Sequence, residues 1–245
     1  MKDVVDIHTH ILYGIDDGAK NFEMSLQLLN MEHTQGITKV FLTNHSYDME
    51  YTYIDYNRKF EQLREIVQRK YSNLDIYKGC EILCFKNEMT NIINNIRNNI
   101  YPTMNETQYV LIEFNPYDID GIREIEYCLK YLLDKGYIPI IAHAERYGNS
   151  YDNPLENIIK IKELGCKIQI NLYSIKQENQ NSIRRTLANL FLNNKDVDFV
   201  GTDTHRLDYK PTEAYVGIQT IRKQCDSKYS DDILFRNSKM LNINF

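Results

Sequence analysis

Along this chain, short apolar and β-branched runs alternate with longer amphipathic stretches. The runs Val4–Ile7, Thr38–Thr43, Leu74–Tyr77, Tyr109–Phe114, Ile138–Ala142, Lys167–Leu172 and Val197–Gly201 have the length and residue types of buried strands. The stretches Phe22–Gln35, Asp55–Tyr71, Asn87–Asn98, Gly121–Lys135, Leu155–Leu164 and Asn181–Asn194 read as amphipathic helices. Gly36, Gly136 and Gly165 each stand where a helix hands over to a strand, the place for a C-terminal cap. About seven β-then-α units result, with a tail after Pro211 that reads as one or two closing helices. Such alternation predicts parallel strands joined by crossover helices. No Pro-, Gly- or Ser-rich linker divides the series, so residues 1–245 are expected to form a single domain. The candidate polar groups sit at the ends of nearly every strand, and only a closed, distorted β/α barrel would bring them all together. In such barrels the C-terminal strand ends form the active face.

Composition narrows the classes of function. With 42% hydrophobic and 26% charged residues in 245, the chain can bury a large core without disulfides. A net charge of −5 without a basic block argues against tracking along nucleic acid, which needs clustered Lys and Arg. Cys80, Cys84, Cys128, Cys166 and Cys225 are odd in number and form no C-x-x-C pair, which suits reduced thiols in the cytoplasm. Met1 precedes an acidic, strand-like segment rather than a basic and apolar leader, and no apolar run is long enough to span a bilayer. A cytoplasmic protein without membrane insertion is therefore expected. The oligomeric state is not written in the sequence.

Candidate chemistry gathers at the strand ends. His8 and His10 close the first strand, two apart and so on one side of it. The bland account is a polar strand end; the chemical one is a metal site, for which imidazole is a common ligand. Asp16 and Asp17, between Gly14 and Gly18, form either a turn or one ligand. His45 ends the second strand, Glu81 the third, Glu113 the fourth and His143 the fifth, while Asp203 and His205 follow the seventh. Five of the six histidines thus fall on one inferred face, and His33, read as mid-helix, suits a surface or packing role. Four carboxylates and five imidazoles are too many ligands for one ion. Three divalent ions would leave a site of about +2, which attracts a phosphate dianion despite the acidic chain. The segment Tyr47–Tyr56, rich in tyrosine and acids, reads as a solvated loop entering a helix, with a substrate-recognising rim as the alternative.

The stretches D-I-H-T-H-I-L-Y-G-I-D-D-G-A-K, T-N-H, G-C-E-I, I-A-H-A-E-R-Y and D-T-H run in order from Asp6 towards Pro211. Together they resemble the polymerase-and-histidinol-phosphatase superfamily, and within it the bacterial tyrosine-protein phosphatases linked to capsule and exopolysaccharide synthesis. The resemblance implies a distorted β/α barrel holding three divalent ions, manganese first, with iron or zinc as alternatives. It makes His8, His10, Asp17, His45, Glu81, Glu113, His143, Asp203 and His205 the ligands, and Arg146 the binder of the substrate phosphate. Arg146 could equally form an ion pair with Glu145 or another acid.

The chain departs from the family pattern at Ala144, where proline is usual, at Ser46, where a further histidine is common, and at Lys210, where an arginine is expected. Lysine keeps the charge but not the bidentate geometry, so Lys210 implies weaker phosphate positioning, and Arg206 nearby is a substitute. The implied activity is hydrolysis of a phosphotyrosine on a protein, a bacterial tyrosine autokinase being the favoured partner. No cysteine is followed six positions later by arginine, so a thiolate phosphatase is excluded. A histidinol-phosphatase and a catalytically impaired metal-binding partner are the alternatives.

Overall fold

The computed structural model describes residues 3–115, 121–150, 153–175 and 182–243, with the side chains of 48–52 and 148–150 left aside. Strands β1 (Val5–Thr9), β2 (Lys39–Leu42) and β3 (Asp75–Lys78) form one parallel sheet. Strands β4 (Glu81–Leu83), β5 (Tyr109–Glu113), β6 (Ile138–Ile141), β7 (Lys167–Asn171) and β8 (Phe199–Gly201) form a second, in sequence order and again parallel. Helices α1 (Phe22–Thr34), α2 (Ser46–Lys70), α3 (Met89–Arg97), α4 (Ile122–Asp134), α5 (Pro154–Glu163) and α6 (Ile183–Asn193) lie between strands, and α7 (Ala214–Gln224) and α8 (Ser227–Leu234) close the chain. Local chemistry explains several starts. The Asn21 side chain accepts from the Met24 amide, Pro154 opens α5, and the Asp226 side chain accepts from the Tyr229 amide.

Three expectations are corrected. The described residues contain eight strands rather than seven, because the chain changes partners after Lys78: β3 pairs with β2, whereas β4 pairs with β5. Glu81 therefore begins the fourth strand instead of ending the third. Helix α2 starts at Ser46, so the Tyr47–Tyr56 segment is helical rather than a loop. It holds no Gly or Pro to break the helix, and its Tyr56 is buried with its hydroxyl 3.0 Å from the carbonyls of Leu42 and Gly79. His33 sits in the last turn of α1, where its ring bonds Asn73 at 2.8 Å. Asn181, the expected start of α6, lies outside the described residues.

One buried apolar cluster gathers Val5, Ile7, Phe41, Leu111, Ile140 and Phe199 from the strands with Ala142 just after β6, and a larger one packs other apolar strand residues against the helices. The two sheets meet at both seams. The amide of His10 donates to the Thr204 carbonyl at 2.8 Å and that of Asp203 to the His8 carbonyl at 2.8 Å; across the other seam the Glu81 amide donates to the Thr43 carbonyl at 3.1 Å. Both seams lie at the strand ends that carry the candidate residues.

Directly behind the first seam lies a buried polar knot. Glu32 of α1 accepts from the hydroxyls of Thr212 at 2.6 Å and Thr204 at 3.2 Å, and Thr202 donates to Asp6 at 2.5 Å. Burial first, then the charge of Asp6, hold the Glu32 carboxyl well above its usual value, and burial pushes Asp6 up to about 6. An acid raised on folding stabilises the protein below its unfolded value, and that contribution is lost as pH rises through the folded one. Glu32→Gln is therefore expected to change the melting temperature of the metal-free protein little at pH 5. At pH 8 it should raise it by about 3 °C, the shift that about 1 kcal/mol gives a chain of this size. Equal shifts at the two pH values, or a fall at pH 8, would contradict the buried acid pair.

Candidate metal centre

A single irregularity in β1 aims the first two histidines. Val5 and Ile7 face the interior cluster, while Asp6 between them faces Thr202. Strict alternation would send His8 after Asp6. The pairing with β2 shifts register between Asp6 and Thr9, and beyond that shift His8 and His10 turn inward. Two glycines make room. A Cβ on Gly201 would stand 2.6 Å from the His8 Cβ, and one on Gly18 would stand 2.0 Å from the His10 carbonyl.

At the centre stands Glu81, fully buried at the start of β4. Its Oε2 lies 3.2 Å from His8 Nε2, 3.1 Å from His10 Nε2 and 3.2 Å from His45 Nδ1, and its Oε1 lies 2.8 Å from His143 Nε2. His45 Nδ1 also lies 3.1 Å from Glu113 Oε1. Asp17 Oδ1 approaches His205 Nε2 at 3.5 Å and His45 Nε2 at 3.7 Å; Asp203 Oδ1 approaches His10 at 3.6 Å and His8 at 3.7 Å. All nine residues singled out as ligands thus lie in one ring, falling into four overlapping groups whose ligand atoms are within 4.8 Å of one another.

The donor set fits divalent cations. His10 Nδ1 donates to Asp16 at 2.7 Å and His205 Nδ1 to the Asp203 carbonyl at 2.8 Å, so each ring turns its Nε2 to the centre as the nitrogen that would take an ion. His8 and His10 face each other Nε2 to Nε2 at 3.3 Å, with a carboxylate oxygen beside both. Glu81 Oε2 and His45 Nδ1 are buried without a hydrogen-bond partner. Acceptors crowded on acceptors repel unless a cation lies between them.

Protons meet that need in the metal-free ring. Burial opposes charge on His10, yet Asp16 and Glu81 outweigh it and carry the ring up to about 9. Burial likewise opposes His45, and Glu81 with Glu113 raise it to about 9. Burial and then the Arg146 charge hold His143 down at about 3, and burial with His10 holds His205 at about 2. Burial would neutralise Glu81, but His8 and His45 keep its carboxyl well below the usual range.

Arg146 stands at the edge of the ring with its guanidinium on Asp203 Oδ2, and Lys210 Nζ reaches the same oxygen at 3.2 Å. Arg206 does not join them. It donates to the Asp17 carbonyl at 2.9 Å, pairs with Asp208 at 3.2 Å and lies over the Tyr209 ring, so it holds the Asp17 loop rather than substituting for the expected arginine. A cavity of about 330 Å³ opens here, lined by Arg146, Asn171, Tyr173, Tyr209 and Lys210 among others. His143, Asp203 and Lys210 all take positive φ, of 34°, 58° and 48°, a strained backbone gathered at one place. Ser46, where a further histidine is usual, instead accepts from the Leu83 amide at 3.1 Å and ties α2 to β4.

Two residues of the site, Gln169 and Asn171, were not singled out from the sequence, and a third takes a part other than those weighed. Asp16, left as either turn or ligand, is buried and accepts from His10, from the His45 amide at 2.9 Å and from Asn44 at 2.8 Å. Gln169 and Asn171 were absorbed into an apolar run, although two polar residues at i and i+2 in a strand mark one face.

Because His10 and His45 are charged below about pH 9, incoming divalent ions must displace protons. Manganese binding at pH 7 is expected to release protons, with affinity rising by about 10-fold per pH unit for each proton displaced. Titration calorimetry in buffers of different ionisation enthalpy reads that release, and an affinity flat from pH 6 to pH 8 would count against it.

Comparison with known proteins places this geometry. A family model described as "Capsular polysaccharide synthesis, CpsB/CapC" matches residues 4–242. The chain is 32% identical over 223 residues to tyrosine-protein phosphatase CpsB of Streptococcus agalactiae serotype III (strain NEM316), covering 86% of this chain and 88% of that one. It is 28% identical over 244 residues to tyrosine-protein phosphatase CpsB of Streptococcus pneumoniae, covering 97% and 98%. Among solved structures, one of YwqE from Bacillus subtilis and CpsB from Streptococcus pneumoniae, described as unique metal-dependent tyrosine phosphatases, superposes with a TM-score of 0.82 at 26% identity, over 97% of this chain and 93% of that one. Histidinol phosphate phosphatase from Lactococcus lactis, at 13% identity and a TM-score of 0.58, shares the fold. With its ligand ring and its full-length match, this chain belongs to the CpsB/CapC family of capsular polysaccharide synthesis.

Proposed function

We propose that this chain is a metal-dependent tyrosine-protein phosphatase, acting on a tyrosine autokinase of capsular polysaccharide synthesis in the cytoplasm. The observation that carries it is the convergence of nine metal-binding side chains beside Arg146 and Lys210, at the mouth of a cavity with aromatic walls. Its curated relatives are named for the same activity. The bonded seams support closure of the two sheets into one distorted β/α barrel, and the match over residues 4–242 supports a single domain over 1–245.

His8, His10, Asp17, His45, Glu81, Glu113, His143, Asp203 and His205 would hold three divalent ions, manganese first, with iron or zinc as alternatives. When bound, the ions supply Lewis-acid charge for the phosphoryl oxygens and acidify water. The protein's own contribution is placement. Arg146 gives the phosphate a planar, permanently charged fork, and Lys210 gives it a point charge. Both rest on Asp203 Oδ2 and turn from it to the substrate. Tyr173 and Tyr209 line the cavity that would take the phenyl group. A phenolate, with a pKa near 10, leaves without a strong general acid, which suits a ring whose Glu81 and Asp203 are held ionised.

Manganese-loaded protein should turn over a phosphotyrosine peptide, lose that activity on metal removal and keep it after thiol alkylation. Cys80, Cys84, Cys128 and Cys166 are buried, and none is needed. Arg146→Ala should lower kcat/KM by about 100-fold or more, the cost of losing one preorganised transition-state donor. Lys210→Arg should raise it by about 3-fold through bidentate contact. Absence of phosphotyrosine turnover in the loaded wild type, or turnover indifferent to chelator, would refute the proposal.

A further inference from the structure

Strand β7 delivers none of the nine ligands, yet two of its polar side chains, Gln169 and Asn171, are buried and run through the ring's supports. Their hydrogen bonds have a direction that can be read from both ends. The His143 amide can only donate, and it donates to Gln169 Oε1 at 2.7 Å. That places the amide oxygen there and leaves Gln169 Nε2 to donate to Asn171 Oδ1 at 2.9 Å. Asn171 Nδ2 then donates to Asp203 Oδ2 at 3.2 Å, a carboxylate that can only accept. The two ends agree, so neither amide can be flipped.

The same oxygen of Gln169 lies 3.2 Å from His8 Nδ1. Since that oxygen is an acceptor, His8 keeps a proton on Nδ1, which leaves Nε2, turned towards Glu81, as the nitrogen that would give up its proton to an ion. One amide thus sets the tautomer of a ligand on β1 and steadies the strained backbone of another after β6. The next amide in the series sets the rotation of a third, after β8.

Asn171 has a second use. Asp203 Oδ2 is shared by Arg146, Lys210 and Asn171. Were the two cations to turn to a phosphate, Asn171 would be the remaining side chain of the three keeping Asp203 Oδ1 aimed at the ring. Its own backbone is pinned, the Asn171 amide donating to Glu145 Oε1 at 3.1 Å.

We infer that Gln169 and Asn171 are positioning residues that hold His8, His143 and Asp203 for metal binding; the inference rests on the metal-dependent function proposed above. The test is manganese affinity by competition with a chelator, on the full chain, for wild type, Gln169→Leu, Gln169→Glu and Asn171→Ala. Gln169→Leu and Asn171→Ala should each weaken binding by about 10- to 100-fold, the usual cost of losing a partner of a metal ligand. Gln169→Glu still accepts from His8 and His143 but loses the donation to Asn171, so its affinity should lie between those of wild type and Gln169→Leu. A merely structural role would lower the metal-free melting temperature of the two Gln169 variants alike and leave affinity unmoved. Unchanged affinity in folded Gln169→Leu and Asn171→Ala, or Gln169→Glu as weak as Gln169→Leu, overturns the inference while the function stands. Should Gln169→Leu not fold, Asn171→Ala decides by the same thresholds. A wild type that binds no manganese removes the function and this inference together.

Discussion

Four imidazoles crowd one buried carboxylate, and much of the upper face of the molecule follows from that. Glu81 lies within 3.2 Å of His8, His10, His45 and His143 and is itself buried. A carboxylate in such a place needs compensating charge. Protons supply it when the ring is metal-free, as the raised values of His10 and His45 show, and divalent ions supply it better because each satisfies several bare atoms at once. The early change of strand partners before β4, the register shift in β1 and the positive φ of His143 and Asp203 each distort regular structure to bring a group to this point.

The electrostatics also reconcile an acidic chain with an anionic substrate. A net charge of −5 describes the whole sequence, whereas a ligand meets the local field. Asp203 illustrates the difference. Burial would neutralise it, but Arg146, His8 and Lys210 keep its carboxyl well below the usual range, so it remains charged and keeps the cations close. The cations are thereby held beside the ring, and in the proposed function a phosphate would exchange one oxyanion for another.

What could be read from sequence was whatever has a period or a boundary. The parallel alternation was legible, as was the placement of His8, His10, His45, His143, Asp203 and His205 at strand ends, because glycine caps mark where strands begin and the short β-branched runs mark where they stop. The break at Gly79–Cys80 was not. A strand of three residues has no periodicity, and only the pairing of β4 with β5 separates it from β3. The early start of α2 was missed because a tyrosine- and acid-rich composition resembles a loop, while the buried Tyr56 that anchors the helix is visible only in three dimensions. Gln169 and Asn171, and the part that Asp16 plays, were hidden for a different reason: their contacts are with other side chains, and partners up to 161 residues away along the chain leave no local pattern.

Lys210 stands where the resemblance implies an arginine, and the neighbouring cation does not replace it. Arg206 cannot serve the phosphate without releasing the Asp17 carbonyl and its place over Tyr209. Lys210 makes one contact with Asp203, at 3.2 Å, and lies 5.4 Å from the centre of the Tyr209 ring on a flexible stem. A single-point contact fixes a phosphate less well than a fork does, and it is also broken with less loss. In the proposed function the two cations would therefore divide the task. Arg146, nearly surrounded and tightly paired, sets the orientation of the phosphate, and Lys210 follows the charge.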